Sequence, residues 1–318
     1  MNYDIFNGDA DGICALIQLR LAEPRTSTLI TGIKRDIQLL KKIDAGSGDK
    51  LVVLDVSLDK NHESLQQFLN AGAEIFYIDH HRADKNVEHA NLTTLIDTAS
   101  NTCTSLIVND YLQGQYPLWA ITAAFGDNLE DSANALALSC DLSTHQTEQL
   151  KKLGIYINYN GYGSCIADLH FPPDELYQKM VQYASPFDFI IDDKHIFNKL
   201  EQGYQQDMAK ALAVEPEYSN DDIAVYILND EVWARRVNGV LGNALANQYP
   251  DRAHAVLTYT PAGDYQVSVR APLNNKLHAD TLCCGFPTGG GRKAAAGINH
   301  LPQQQLDFFM TAFKGTYS

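Results

Sequence analysis

The sequence has few cations and no long apolar run. Its 318 residues include 24 Lys and Arg against 39 Asp and Glu, which gives a formal net charge of −15. A protein that coats long nucleic acid needs many cations to replace counterions, so the composition disfavours that class but allows a small anionic substrate held by local charges. The start, Tyr3–Phe6, reads as a strand and not as a signal peptide, and no segment suits a membrane span. We therefore expect a cytoplasmic protein with no membrane partner.

Cysteine is also scarce and irregularly spaced. The six cysteines lie inside apolar segments or side by side, without the regular framework of a small secreted scaffold. We interpret them as reduced packing residues. They are at positions 14, 103, 140, 165, 283 and 284.

Strand and helix patterns alternate through the first third of the chain, which predicts an α/β fold with a mostly parallel sheet covered on both faces. Short apolar runs read as strands and longer periodic segments as helices. The predicted strands are 3–7, 27–33, 51–56, 74–79 and 93–97, and the predicted helices among them are 13–21, 36–43 and 62–70. A further helix is expected from about Cys103, with Ser100 or Asn101 as its cap.

The length suits two domains better than one. We predict a catalytic domain over residues 1–185, a linker or connecting helix over 186–220, and a smaller α/β domain over 221–318. The break at Ser185-Pro186-Phe187 marks the end of the helical region. The alternating run Asp222–Ile227 opens the second domain.

The most informative stretch is Ile78-Asp79-His80-His81, which closes an apolar strand. Open α/β sheets bind ligands at the carboxyl ends of their strands. Two adjacent imidazoles at the end of a buried strand point to opposite faces, so each of them needs a polar partner of its own. Further acids lie where other predicted elements end. They are Asp9, Asp11, Asp55 and Asp127, the last of which also fits a simple turn after Gly126.

Carboxylates combined with imidazole suit Mn²⁺ or Mg²⁺ better than a structural zinc ion. Asp9 and Asp11 are two residues apart and can serve neighbouring ions, and a strand-end acid such as Asp55 can bridge both. Two ions about 3.5–4 Å apart are suited to phosphoester hydrolysis. We therefore expect two divalent ions, Mn²⁺ first and Mg²⁺ as the alternative.

A glycine run near the C-terminus, Gly289, Gly290 and Gly291, can present backbone N–H groups to an anion. Arg292 and Lys293 add positive charge. The alanine run after them favours a helix, whose N-terminus would face the same anion.

These motifs resemble the DHH phosphoesterases. The matching segments of the catalytic domain are Asn7–Gly12, Asp55, Asp79-His80-His81 and Gly126-Asp127, in the family's order. Val267–Arg270 and Gly289–Gly297 look like the DHH-associated substrate-binding domain. The chain departs from many members early in the first motif, where it has Ile5 and Asn7 instead of a further His or Asp.

The resemblance implies a role for each matching residue. The first metal ion takes Asp9 and Asp55, and the second takes Asp11, Asp55, His80 and Asp127. Asp79 orients its neighbour, and His81 faces the scissile phosphate as donor or acid. Substrate binding is assigned to Arg270, Gly289, Gly290, Gly291, Arg292 and Lys293.

The resemblance implies a metal-dependent phosphodiesterase acting on very short oligonucleotides. Linear dinucleotides of the pGpG kind, which arise in cyclic di-GMP signalling, are the first choice of substrate, and mononucleotides are the products. Two alternatives stay open: a pyrophosphatase or exopolyphosphatase, and a nucleotide-binding regulator without catalysis. A homodimer is left open as well.

Overall fold

The computed structural model describes residues 1–85 and 87–317, and it confirms the α/β class. Two compact units divide the chain. The N-terminal unit comprises Met1–Gly161 and Cys165–Glu201, and the C-terminal unit comprises Tyr162–Ser164 and the chain from Gln202 onward. None of the helices in the described residues combines the length and the apolar character needed to cross a membrane.

The described part of the N-terminal unit contains five strands and nine α-helices, the last of which runs past the boundary of the unit. The strands are β1 (Asn2–Phe6), β2 (Thr28–Ile30), β3 (Lys50–Leu54), β4 (Glu74–Asp79) and β5 (Leu92–Ile96). The helices are α1 (Ala10–Ala22), α2 (Leu58–Asn70), α3 (Thr104–Tyr111), α4 (Pro117–Gly126), α5 (Glu130–Ser139), α6 (Thr144–Gly161), α7 (Pro173–Met180), α8 (Pro186–Asp192) and α9 (Lys194–Leu212). Two 3-10 turns lie at Leu39–Lys42 and Ile166–Asp168.

All five strands are parallel, in the order β2-β1-β3-β4-β5. Both faces of the central strands are buried, as the continuous apolar runs in β1, β3 and β4 require. Helix α1 is buried along almost its whole length, whereas α2 turns an apolar stripe with Leu65 and Phe68 toward the sheet. The parallel arrangement brings the carboxyl ends of the strands to one edge.

The C-terminal unit is a second, mixed sheet with three helices of its own. Its strands are β6 (Tyr218–Ser219), β7 (Ile223–Leu228), β8 (Ala253–Tyr259), β9 (Asp264–Arg270), β10 (Gly289–Gly291) and β11 (Ala295–Pro302), and its helices are α10 (Val232–Gln248), α11 (Ala279–Cys284) and α12 (Leu306–Tyr317). The order is β10-β11-β9-β8-β7-β6, and among the pairings between described residues only β7–β8 is parallel. Apolar residues of the sheet pack with Phe309 and Phe313 of α12 in one core.

Two local expectations need correction. Residues 36–43 form no helix beyond the 3-10 turn at Leu39–Lys42. The alanine run after Lys293 enters β11, because Ala295 and Ala296 pair with Arg270 and Val269 of β9, so no helix begins there. The range predicted as a linker or connecting helix, 186–220, contains α8, α9 and β6.

A buried ion network fixes β1 to the end of α1. Asp4 is fully buried, and its carboxylate accepts hydrogen bonds from Arg20 at 2.8 and 2.9 Å, from Arg25 at 2.6 Å and from Ser27 at 2.5 Å. Burial alone raises the pKa of Asp4, but the bonds and charges of Arg20, Ser27 and Arg25 outweigh it, so the pKa lies below its usual value.

We expect Asp4→Asn to lower the free energy of unfolding by about 3 kcal/mol, since it leaves the buried guanidinium of Arg20 and the partly buried one of Arg25 without their counter-ion. The lowered pKa means that this contribution is complete above the unfolded value of roughly 4 and is lost as the pH falls toward the folded one. Urea denaturation of both proteins at several pH values measures the difference. Glu74→Gln, which breaks the exposed pair with Lys50, is the control and should cost at most about 0.5 kcal/mol. Equal losses in the two variants would contradict the prediction.

Candidate metal centre

The acids singled out in the sequence converge on His80 at the carboxyl edge of the parallel sheet. The Nε2 atom of His80 lies 3.2 Å from Oδ1 of Asp55, 3.7 Å from Oδ2 of Asp11 and 3.8 Å from Oδ2 of Asp127. These positions come from four places in the chain, namely the ends of β3 and β4, the first turn of α1 and the end of α4. Parallel topology therefore assembles the cluster, as expected from the strand-end rule.

The backbone of Asp55 is strained. Its φ is 56°, in the left-handed region that a residue with a Cβ rarely adopts, directly after β3 ends. The amide of Asp55 donates to the carbonyl of Ile78 at 3.1 Å, which keeps the turn beside β4. Strain of this kind is common at functional sites, where the surrounding structure maintains it.

Helix α3 orients Asp11. The backbone N–H groups of Thr104 and Ser105 donate to its two carboxylate oxygens at 2.8 and 2.7 Å, and the Ser105 hydroxyl donates to the Asp11 carbonyl at 2.8 Å. The expected cap by Ser100 or Asn101 is wrong: the N-cap position is Cys103, which makes no side-chain capping bond. Asp11, remote in sequence, satisfies the first-turn amides instead.

The cluster brings several carboxylates together where solvent has little access. The side chains of Asp11, Asp55 and Asp127 are at most 5% exposed. Burial, followed by the charges of Asp127 and Asp9, raises the pKa of Asp11 to about 6. Burial and neighbouring carboxylates also raise the pKa of Asp55 well above its usual value. A bound cation would relieve this repulsion, and the donor set suits a hard or borderline divalent ion.

Each histidine of the pair is held in one tautomer. Nδ1 of His80 lies 3.0 Å from the carbonyl oxygen of Thr102, which can only accept, so Nδ1 carries the proton and Nε2 is left to bind a cation. Nδ1 of His81 donates to Oδ1 of Asp79 at 2.7 Å. Although burial opposes it, the charge and hydrogen bond of His81 lower the pKa of Asp79, which is therefore ionised.

Two groups of side chains in the described residues have the geometry to hold a metal ion. One consists of Asp55, His80 and His81, and the other of Asp11, His80 and Asp127. Because His80 belongs to both, they form one continuous centre. Asp9 belongs to neither, although the sequence predicts it as a ligand.

Asp9 is engaged elsewhere. Its Oδ1 accepts the amides of Asp11 and Gly12 at 3.0 and 3.1 Å and so caps α1. Its Oδ2 accepts from the ammonium of Lys34, which also donates to Oδ1 of Asn158 at 2.9 Å.

Four residues around the centre were missed in the sequence: Lys34, Thr104, Ser105 and Asn158. Lys34 follows β2 at the same edge of the sheet, so its position after a predicted strand could have identified it as a residue of the site. Thr104 and Ser105 open a predicted helix, but nothing in the sequence pairs them with Asp11. Asn158 lies within α6 and carries no local signal.

The predicted substrate residues lie in the C-terminal unit. Arg270 is buried and donates to the carbonyls of Val269 and Gly239 and to the side chains of Ser268 and Asn243. All four of these partners are uncharged.

The glycine run forms strand β10 and pairs with β11. A Cβ on Gly289 would lie 1.7 Å from the Cys283 carbonyl oxygen, and Gly291 has a φ of 142°, so neither position accommodates a side chain easily. The amide of Arg292 donates to Ala295 at 2.8 Å, and the carbonyl of Lys293 accepts from Ala279 at 3.0 Å. These residues form a turn between β10 and β11.

Residues 4–140 match the sequence model of the DHH family, N-terminal domain. Residues 4–140 therefore form a DHH family domain, and the resemblance drawn from the motifs within this range is confirmed. Among curated proteins, none matches this chain significantly.

Solved structures with the same fold align over 99% of this chain. RecJ from Thermus thermophilus in complex with Mn²⁺ has a TM-score of 0.59 at 14% identity, and the chain spans only 51% of its length. A pGpG-specific phosphodiesterase, PggH from Vibrio cholerae, has a TM-score of 0.52 at 12% identity with 98% of its length covered. An exopolyphosphatase-related protein from Bacteroides fragilis has a TM-score of 0.52 at 13% identity with 90% covered. At these identities the likeness establishes the fold alone.

Proposed function

We propose that this protein is a metal-dependent phosphodiesterase that hydrolyses linear dinucleotides of the pGpG kind to mononucleotides. The observation that carries the proposal is the convergence of Asp11, Asp55 and Asp127 on Nε2 of His80, beside a His81 that is held by ionised Asp79. Buried acids with one tautomerically fixed imidazole are the donor set of a hydrolytic metal centre.

Asp11, Asp55, His80 and Asp127 are proposed to hold the metal, with Mn²⁺ first and Mg²⁺ as the alternative. Bound there, a divalent ion supplies Lewis-acid stabilisation of phosphoryl charge and lowers the pKa of a coordinated water. The donors are already oriented by other bonds, Asp11 by the α3 amides and His80 by the Thr102 carbonyl.

His81 is proposed to act on the substrate. Its ring is 26% exposed while His80 is almost fully buried, so only His81 of the pair has a solvent-accessible face. Its proton on Nδ1 is shared with Asp79, which leaves Nε2 as the atom that can exchange a proton with a phosphoryl or leaving-group oxygen. Asp79 stabilises the protonated imidazole, as an orienting carboxylate does in other hydrolases.

Short substrates are favoured by charge. The net charge of −15 opposes the extended electrostatic footprint that long nucleic acid requires, whereas a few local cations suffice for a dinucleotide. Arg270, Arg292 and Lys293, with the backbone of strand Gly289–Gly291, are proposed to bind its distal phosphate or nucleotide. The structural likeness to a pGpG-specific phosphodiesterase over nearly the whole of both chains supports this choice.

Hydrolysis of pyrophosphate or polyphosphate is the second candidate, favoured by the likeness to an exopolyphosphatase-related protein. A catalytically inactive nucleotide-binding regulator is the third. Product analysis separates the three: the protein is incubated with Mn²⁺ and, in parallel, with pGpG, cyclic di-GMP, a short RNA, single-stranded DNA and tripolyphosphate. Mononucleotides from pGpG, at a rate well above the other reactions, are expected. Faster phosphate release from tripolyphosphate, or no turnover of any substrate, would overturn the proposal.

Arg292→Ala should reduce kcat/KM for pGpG by about 1.5–3 kcal/mol, the range for a charge-assisted hydrogen bond, if Arg292 binds the distal part of the substrate. The loss should be far smaller for a chromogenic phosphodiester that has no distal nucleotide. Steady-state kinetics of both proteins on both substrates measure the two losses. Equal losses would mean that Arg292 supports the fold or the metal centre.

A further inference from the structure

Lys34 places a fixed positive charge inside the acidic cluster. Its ammonium contacts Oδ2 of Asp9, lies 2.9 Å from Oδ1 of Asn158 and lies 3.5 Å from Oδ1 of Asp127. The side chain is 22% exposed, while the two acids are at most 5% exposed. Lys34 thus points into the site, and its charge is surrounded by oxygen ligands as a bound cation is.

The backbone of Lys34 is held from both sides. Its N–H donates to the carbonyl of Gly161 at 2.8 Å, and its carbonyl accepts from Nδ2 of Asn7 at 3.2 Å. The segment before Lys34 packs closely against the loop that follows β1. A Cβ on Gly8 in this loop would lie 1.9 Å from the carbonyl oxygen of Gly32. These contacts fix the backbone of Lys34, so the fold itself determines where the ammonium lies.

Asn7 and Asp9 both serve this arrangement. Asn7 carries no charge and uses its amide to hold Lys34, while Asp9 uses one oxygen to cap α1 and the other for the ammonium. The side-chain groups with metal-binding geometry in residues 1–85 and 87–317 both centre on His80 and omit Asp9. A divalent ion at Asp9 would have to displace the ammonium or lie beside it, and like charges repel strongly in a buried site.

We infer that the Lys34 ammonium takes the place of one of the two divalent ions that the sequence predicts, so that the centre binds a single divalent ion at Asp11, Asp55, His80 and Asp127. Asp127 connects the two cations: Oδ1 faces Lys34 and Oδ2 faces His80. The inference draws on the proposed function for the metal site itself, but the number of ions does not depend on the substrate.

Metal content tests the inference without an activity assay. The full-length protein is equilibrated with Mn²⁺, freed of excess by gel filtration and analysed by mass spectrometry for Mn²⁺ per chain, and electron paramagnetic resonance distinguishes isolated ions from exchange-coupled pairs. The wild type should hold one ion with the spectrum of isolated Mn²⁺. Removing the charge in Lys34→Met, or in Asn7→Asp/Lys34→Met, which also supplies an additional carboxylate, should add a second ion and the signature of a coupled pair.

Two variants serve as controls. Lys34→Arg keeps the charge and should keep one ion. Lys42→Met removes a lysine of the same segment, whose ammonium contacts Asp36 and the Thr31 carbonyl outside the cluster, and should also keep one ion. Circular dichroism confirms that each variant is folded.

Two ions in the wild type, or one ion in both variants that lack Lys34, would overturn the inference. A wild-type protein that holds one Mn²⁺ but fails to cleave pGpG would refute the proposed substrate and leave the inference standing.

Discussion

Asp55→Asn is expected to lower kcat for pGpG by roughly a thousandfold, or about 4 kcal/mol of transition-state stabilisation. Asp55 contributes the carboxylate oxygen closest to Nε2 of His80, at 3.2 Å, and the same oxygen lies 3.7 Å from Nδ1 of His81. An amide keeps the shape but removes the charge that binds the cation. Steady-state kinetics at saturating Mn²⁺ measure the loss, and near-wild-type turnover would refute the role of Asp55.

The same substitution should raise the melting temperature of the metal-free protein. Asp55 is a buried acid surrounded by Asp9, Asp11 and Asp127, whose charges oppose its ionisation, so a neutral amide removes a repulsion from the folded state. Loss of activity with gain of stability is typical of functional residues. Asp97→Asn is the matched control, because Asp97 also follows a strand of this sheet but is exposed, and it should change neither quantity appreciably.

His80→Ala and His81→Ala are expected to differ in metal content. His80→Ala should lower both bound Mn²⁺ and kcat, because His80 belongs to both groups with metal-binding geometry. His81→Ala should keep most of the metal and lower kcat by at least roughly a hundredfold, the usual contribution of a general acid or base.

Metal analysis and kinetics on the same samples separate the two roles of the histidines. His195→Ala provides the control, since that side chain is 75% exposed on α9. Equal metal losses in the His80 and His81 variants would contradict the assignment of one to the ion and the other to the substrate.

The strand-end acids could be predicted from the sequence because parallel topology is a local inference. Once β1, β3 and β4 are recognised as apolar runs separated by helices, the residues that follow them must meet at one edge. Asp11, Asp55 and His80 satisfy this rule. Their environment could not be predicted in the same way: the amides of Thr104 and Ser105 reach Asp11 from more than 90 residues away in the chain.

Local propensity failed where tertiary pairing decides the structure. Ala294, Ala295 and Ala296 favour a helix by intrinsic propensity, yet β11 pairs on both sides with β9 and β10. Lys34 was missed for a different reason. Acids and imidazoles are metal ligands, whereas a lysine ammonium is itself a cation, so a pattern of ligand residue types does not point to it.

The bonds from α3 to Asp11 also affect the thermodynamics of ion capture. Both oxygens of this carboxylate are oriented by amides in the first turn of a helix, and these amides do not depend on an ion for their position. The rotational freedom that a flexible acid would lose on coordination has therefore already been lost during folding. Affinity at this position is set mainly by dehydration and charge, because the conformational entropy cost of binding is small.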